Sequence, residues 1–178
     1  HILQAVENSE KSALILKQIA ERIRLISPKL GNQLLKRVRT SNHGIVIALQ
    51  GYQHNLPEAL KEALKESLKR IGANKLNLTA KLDFSNLPKA LGSIKIIAKT
   101  LPQNECDRIV LLWDEFGRHI ETLITKGEAS SIHDIQILAE FAARLQNIPF
   151  VLGLFLHQNL LNYFIKFFHK YINKYNFD

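Results

Sequence analysis

The sequence predicts an α/β fold in three layers, a mostly parallel sheet with helices on both faces, and three observations carry that reading. Residues 45–49, 109–113 and 150–156 are short apolar runs of strand length, two of them rich in β-branched side chains. Stretches of helical period separate them, which is the alternation of a parallel sheet built from crossover units. Each run is apolar at consecutive positions, so both faces of the strand need cover.

The elements follow in chain order. Residues 2–25 place Leu3, Val6, Leu14, Ile19, Ile23 and Ile26 loosely on one helical face, and Ser27-Pro28 ends that helix. A second helix over 29–39 runs into the polar break Thr40-Ser41-Asn42-His43-Gly44. The first strand, Ile45-Val46-Ile47-Ala48-Leu49, lies between Gly44 and Gly51 and ends in Gln50. Residues 57–71 form the clearest helix, with Leu60, Leu64, Leu68 and Ile71 in a stripe at spacings of three and four. Glu58, Lys61, Glu62, Lys65, Glu66 and Lys69 alternate in sign on its other faces, and Pro57 and Gly72 punctuate it in the favoured order. A less regular helix over 86–101 leads to the second strand, Ile109-Val110-Leu111-Leu112-Trp113. Helix continues over 118–125, a loop covers 126–131, and a further helix over 134–145 puts Ile135, Leu138, Phe141, Ala142 and Leu145 on one side. Pro149 ends it, and Phe150-Val151-Leu152-Gly153-Leu154-Phe155-Leu156 reads as a third buried strand. The tail, 160–175, sets Leu161, Phe164, Phe168, Tyr171 and Tyr175 at helical spacing, as core or as an interface.

With 178 residues the chain suits one compact core, and we divide it into a basic helical region, 1–40, and an α/β unit, 41–178. The longest apolar runs fall far short of the roughly 20 residues of a membrane helix, and no signal peptide is visible, so no membrane partner is expected. The single cysteine, Cys106, cannot form an internal disulfide, which suits a reducing cytoplasmic compartment. The chain begins at His1 and contains no methionine. That pattern suits a tag remnant, a segment of a longer protein, or a sequence from which modified methionines were dropped.

Charge is uneven. Residues 1–107 carry 17 Lys/Arg against 9 Asp/Glu, while residues 108–178 carry 7 of each. Lys11, Lys17, Arg22, Arg24, Lys29, Lys36, Arg37 and Arg39 face Glu21 alone over residues 11–39. Such a face suits nucleic-acid phosphates, with Lys36, Arg37 and Arg39 as the contacts, or an acidic partner; a merely solvated helix surface has the same composition.

All three strand runs end in polar residues: Gln50, then Asp114-Glu115, then His157-Gln158. In a parallel sheet these ends share one edge, the edge where ligands bind. Adjacent carboxylates there suit nucleotide hydrolysis, one holding hydrated Mg²⁺ and the other orienting or deprotonating water. The plainer alternatives are a solvated strand end for the acidic pair and an ordinary hydrogen-bonded histidine for His157. A zinc site is not supported, since His119 has no His-x-x-x-His or Cys-x-x-Cys companion, and a set built on His133 and Asp134 lacks a nucleophile elbow.

Four or more apolar residues running into Asp-Glu, here Ile109-Val110-Leu111-Leu112-Trp113-Asp114-Glu115, resembles the Walker B strand of P-loop NTPases of the AAA+ and STAND class. The longer pattern Asp114-Glu115-Phe116-Gly117-Arg118, Ile135-Gln136-Ile137-Leu138-Ala139-Glu140-Phe141 and Leu156-His157-Gln158 is similar to large ATP-binding proteins of bacterial defence or DNA-processing gene clusters. It covers residues 44–165. The resemblance implies a Mg²⁺-supporting role for Asp114 through water, water activation by Glu115, and a γ-phosphate sensor at His157 or Gln158. It also implies ATP and Mg²⁺ as the cofactors of the complete protein.

The family's phosphate loop, Gly-x-x-x-x-Gly-Lys-Ser/Thr, is missing: neither Gly72-Ala73-Asn74-Lys75 nor Lys126-Gly127 fits it. Arg118 and Arg144 come too early for an arginine finger. The expectation is therefore the Walker B to sensor-1 part of an ATPase that remodels nucleic acid or protein, inactive and cofactor-free by itself. Its partners would be the remainder of a larger ATPase, a homo-oligomer or nucleic acid. The alternative is a non-enzymatic α/β interaction module with a degenerate NTPase fold.

Overall fold

A computed structural model describes residues 6–7, 10–38, 43–71, 82–100, 106–127, 129–145, 149–157, 162 and 165. Its elements are α1 (Glu10–Ile26), α2 (Pro28–Val38), β1 (His43–Gln50), α3 (Leu56–Arg70), α4 (Leu87–Thr100), β2 (Cys106–Asp114), α5 (Phe116–Lys126), α6 (Ala129–Arg144) and β3 (Phe150–Leu154). The strands form a three-stranded parallel sheet in the order β1-β2-β3, flanked by helices. Ile45 pairs with Ile109 and Gln50 with Asp114, while Ile109 pairs with Phe150 and Trp113 with Leu154.

Alternation along the strands builds the core. Ile45, Ile47 and Leu49 on β1 and Ile109, Leu111 and Trp113 on β2 lie in one buried cluster with Leu56, Leu60, Leu64 and Leu68 of α3 and Leu87, Leu91, Ile94 and Ile97 of α4. The leucine stripe read in the sequence is thus the buried face of α3. Asn55 caps that helix, its side-chain oxygen accepting the Glu58 N–H at 3.2 Å, with Pro57 in the first turn.

Among the described residues, the free side of β1 meets α3 at Val46. Ser67 Oγ accepts the Val46 N–H at 2.8 Å and donates to the buried Glu7 carboxylate at 3.3 Å, while Arg70 Nε bonds the same carboxylate at 2.8 Å. The outward backbone group of a terminal strand therefore has a built partner.

Two expectations need correction. The loop placed over 126–131 is shorter, because α6 starts at Ala129. Gly127, at φ 71°, returns its N–H to the carbonyls of Leu123 and Ile124 and ends α5 in one residue, so the chain re-enters helix at once. The third strand stops at Leu154 and is not fully buried: Val151 is 51% exposed. Only its pairing with β2 is seen among the described residues, and its other four residues are partly buried. The tail over 160–175 lies outside the described residues apart from Asn162 and Ile165.

Candidate functional site at the carboxyl edge of the sheet

Parallel pairing brings the three strand ends to one edge, where backbone bonds stitch them together. The Gly51 N–H donates to the Asp114 carbonyl at 2.9 Å, the Phe155 N–H to the Trp113 carbonyl at 2.9 Å, and the Phe116 N–H to the Phe155 carbonyl at 2.9 Å. Gly51 turns the chain away from β1 at φ 61°, a conformation glycine adopts without a Cβ penalty. The buried Trp113 indole N–H donates to the Gly51 carbonyl at 2.9 Å, tying that turn to the central strand.

Asp114 is exposed at the last position of β2, and its Oδ1 accepts the Glu115 N–H at 2.8 Å. Glu115 then takes the left-handed conformation, φ 50° and ψ 33°, the sole non-glycine residue with positive φ among the described residues. This is the step from strand to helix: the chain turns sharply and α5 begins at Phe116. Glu115 makes no side-chain cap to that helix. Its Oε2 instead pairs with Arg118 Nη1 at 3.0 Å and lies 3.5 Å from where a Cβ on Gly51 would sit. The second carboxylate is therefore swung across the end of β1, beside Gln50, whose carbonyl accepts the Gln53 Nε2 at 2.7 Å.

Beneath this polar rim lies an aromatic floor that contains a residue the sequence reading weighed only as a metal ligand. His119 is buried on α5, with ring centroids 4.5 Å from Trp113, 5.6 Å from Tyr52 and 6.1 Å from Phe116. Its Nδ1 accepts the Gln53 N–H at 3.3 Å, which assigns the ring proton to Nε2. The spacing Phe116, His119, Leu123 on one face of α5 was the available signal. Lys126 reaches back to Tyr52, 3.1 Å from the hydroxyl and 4.3 Å from the ring centroid.

The structure thus brings Gln50, Asp114 and Glu115 together. His157 is exposed three residues beyond the end of β3, and Gln158 lies outside the described residues. Among the described residues no group of three or more His, Cys, Asp or Glu side chains gathers to hold a metal. Mg²⁺ that keeps its water shell needs only one or two carboxylates, and the exposed Asp114 fits that demand.

The residues read as nucleic-acid contacts separate. Lys36 is exposed on α2, while Arg39 lies outside the described residues. Arg37 is a tether: Nη1 bonds Asp107 Oδ2 at 2.6 Å, Nη2 donates to the Val6 carbonyl at 3.1 Å, and its side chain is only 13% exposed. Burial acts to raise the Asp107 pKa, but the hydrogen bond from Arg108 and the charges of Arg37 and Arg108 outweigh it and hold the carboxyl below its ordinary value. No protein-family model, no curated protein and no solved structure matches this chain.

Proposed function

We propose that the Asp114–Glu115 edge is the hydrolytic half of a Mg·ATP site, the Walker B to sensor-1 part of a P-loop NTPase core in three layers. The observation that carries the reading is the placement of two adjacent carboxylates at the carboxyl end of the central parallel strand, with Glu115 in a left-handed turn that aims it across β1. Backbone strain of this kind clusters at functional sites. Asp114 is exposed where a hydrated cation can reach it, and Glu115 has one oxygen held by Arg118. Mg²⁺ would neutralise phosphate charge; Asp114 would anchor its water shell, Glu115 would orient and deprotonate the attacking water, and His157 or Gln158 would contact the γ-phosphate side.

The phosphate loop must come from outside residues 1–178, so this chain alone is expected to bind no nucleotide. The two outer strands support that division: the outward Val46 groups of β1 are bonded by Ser67 and Arg70, whereas β3 is an uncharged, partly exposed strand against which a further parallel strand can pair. The work done by hydrolysis would be remodelling of nucleic acid or protein.

Calorimetric titration of Mg·ATP into the longest natural version of the protein tests this. The expected result is saturable binding, with Glu115→Gln retaining it while hydrolysis falls by roughly 10²–10⁴-fold. Absence of binding would leave the degenerate interaction module as the reading of this fold.

A further inference from the structure

The helical hairpin α1–α2 carries an exposed apolar elbow unrelated to the carboxylate edge. Ser27 and Pro28 force the corner, since the residue before proline is driven out of helical conformation. The Ser27 carbonyl then accepts the Gly31 N–H at 3.0 Å and opens α2. The corner is tight and fixed. Gly31 is pressed against α1 so closely that a Cβ there would lie 2.5 Å from Arg24 Cα. On this support Leu25, Ile26 and Leu30 stand 86%, 91% and 57% exposed. Three adjacent aliphatic side chains held in water on a rigid corner are the kind of surface that marks an interaction site.

We propose that this elbow docks an acidic amphipathic helix of a partner protein. Two features select that occupant. Exposed Arg22 and Lys29 flank the aliphatic side chains, and Glu21, the one acidic residue nearby, is already paired with Arg24 at 2.8 Å, so the surface complements a partner carrying carboxylates beside its apolar stripe. The surface is also elongated. Leu14, itself 67% exposed, lies on the same line of α1 as Leu25, eleven residues or about 16 Å away, and the line between them passes exposed Gln18 and the Arg24-bound Glu21. A nucleic-acid backbone gains nothing from aliphatic side chains.

Fluorescence anisotropy with a labelled synthetic helix, leucine at i, i+3, i+4 and i+7 and glutamate elsewhere, tests the proposal on the chain as it stands. The helix should bind, and a scrambled peptide of the same composition should bind at least tenfold more weakly. Leu25→Ser with Ile26→Ser should weaken binding by a similar factor, as should Arg22→Glu with Lys29→Glu. All of these side chains are exposed, and an unchanged circular dichroism melt would confirm that the variants fold. Three outcomes overturn it: no binding of the helix, binding indifferent to the serine pair, or serine-sensitive adsorption to phosphatidylglycerol–phosphatidylcholine vesicles or to duplex DNA in place of peptide binding. The proposal stands apart from the ATP reading, because none of these residues touches the carboxylate edge.

Discussion

Glu115 occupies a backbone conformation that costs an ordinary L-residue about 1–2 kcal/mol. The residue persists there because the backbone on either side is fixed, by Gly51 on Asp114 and by Phe116 on Phe155. Asparagine tolerates the left-handed region better than glutamate. Glu115→Asn is therefore expected to stabilise the fold by about 0.5–1 kcal/mol, raising the melting temperature by roughly 2–4 °C per kcal/mol. Calorimetry would read it, and an equal or lower melting temperature would mean that the turn stores no strain. At this scale the sequence was only partly legible. An apolar run ending in Asp114-Glu115 identifies the edge, because carboxylates cannot continue a buried strand. Nothing in the letters shows that Glu115 turns left-handed or that Arg118 holds it, since both follow from the junction with Phe155 and Gly51.

Among the elements, α3 shows how one helix can serve both core and sheet edge. Its leucine stripe is buried, and its last turns supply Ser67 to the otherwise unpaired Val46 N–H. Ser67→Ala would leave that buried donor without its partner, at a cost of about 1–3 kcal/mol, whereas alanine at the exposed Lys69 should change urea midpoints immeasurably. The tether between α2 and β2 makes a different forecast. Because the folded Asp107 pKa lies below its unfolded value of about 3.9, its contribution is complete above that pH and is lost as pH falls through the lower folded value. The stability difference between the protein and Asp107→Asn should thus be largest near pH 6 and shrink as the solution is made acid, as measured by urea midpoints. A gap that persists in acid would assign the role to packing rather than charge. Helix positions were readable wherever an amphipathic stripe and a terminator coincide, as in α3. The start of α6 was not, because the left-handed Gly127 ends α5 two residues before Ala129 begins α6, where Lys126–Ser131 suggests a polar loop.

For the whole molecule, the two outer strands of the sheet differ in their cover among the described residues. The residues of β1 and β3 look alike as sequence, both short apolar runs, and yet the outward Val46 groups of β1 are bonded by side chains of α3 while Val151 and Phe155 stand exposed. Strand order is set by pairings between distant residues, which a local pattern does not encode. That is why the α/β alternation was legible and the unequal cover was not. Uncharged strand edges recruit other chains, and a lysine placed there discourages it. Val151→Lys should suppress concentration-dependent association in static light scattering while shifting stability by no more than about 0.5 kcal/mol. Unchanged association would locate the sticky surface elsewhere.

Trp113 is the one tryptophan in the chain, wholly buried, with its indole nitrogen bonded to the turn at Gly51 and the His119 ring tilted against its own at 4.5 Å. The molecule consequently carries its own optical gauge at the place of greatest interest. Emission should be short in wavelength and partly quenched by the imidazole. A cation or phosphate settling on Asp114 and Glu115 would move the Gly51 turn and be registered as a change in intensity, with no label attached.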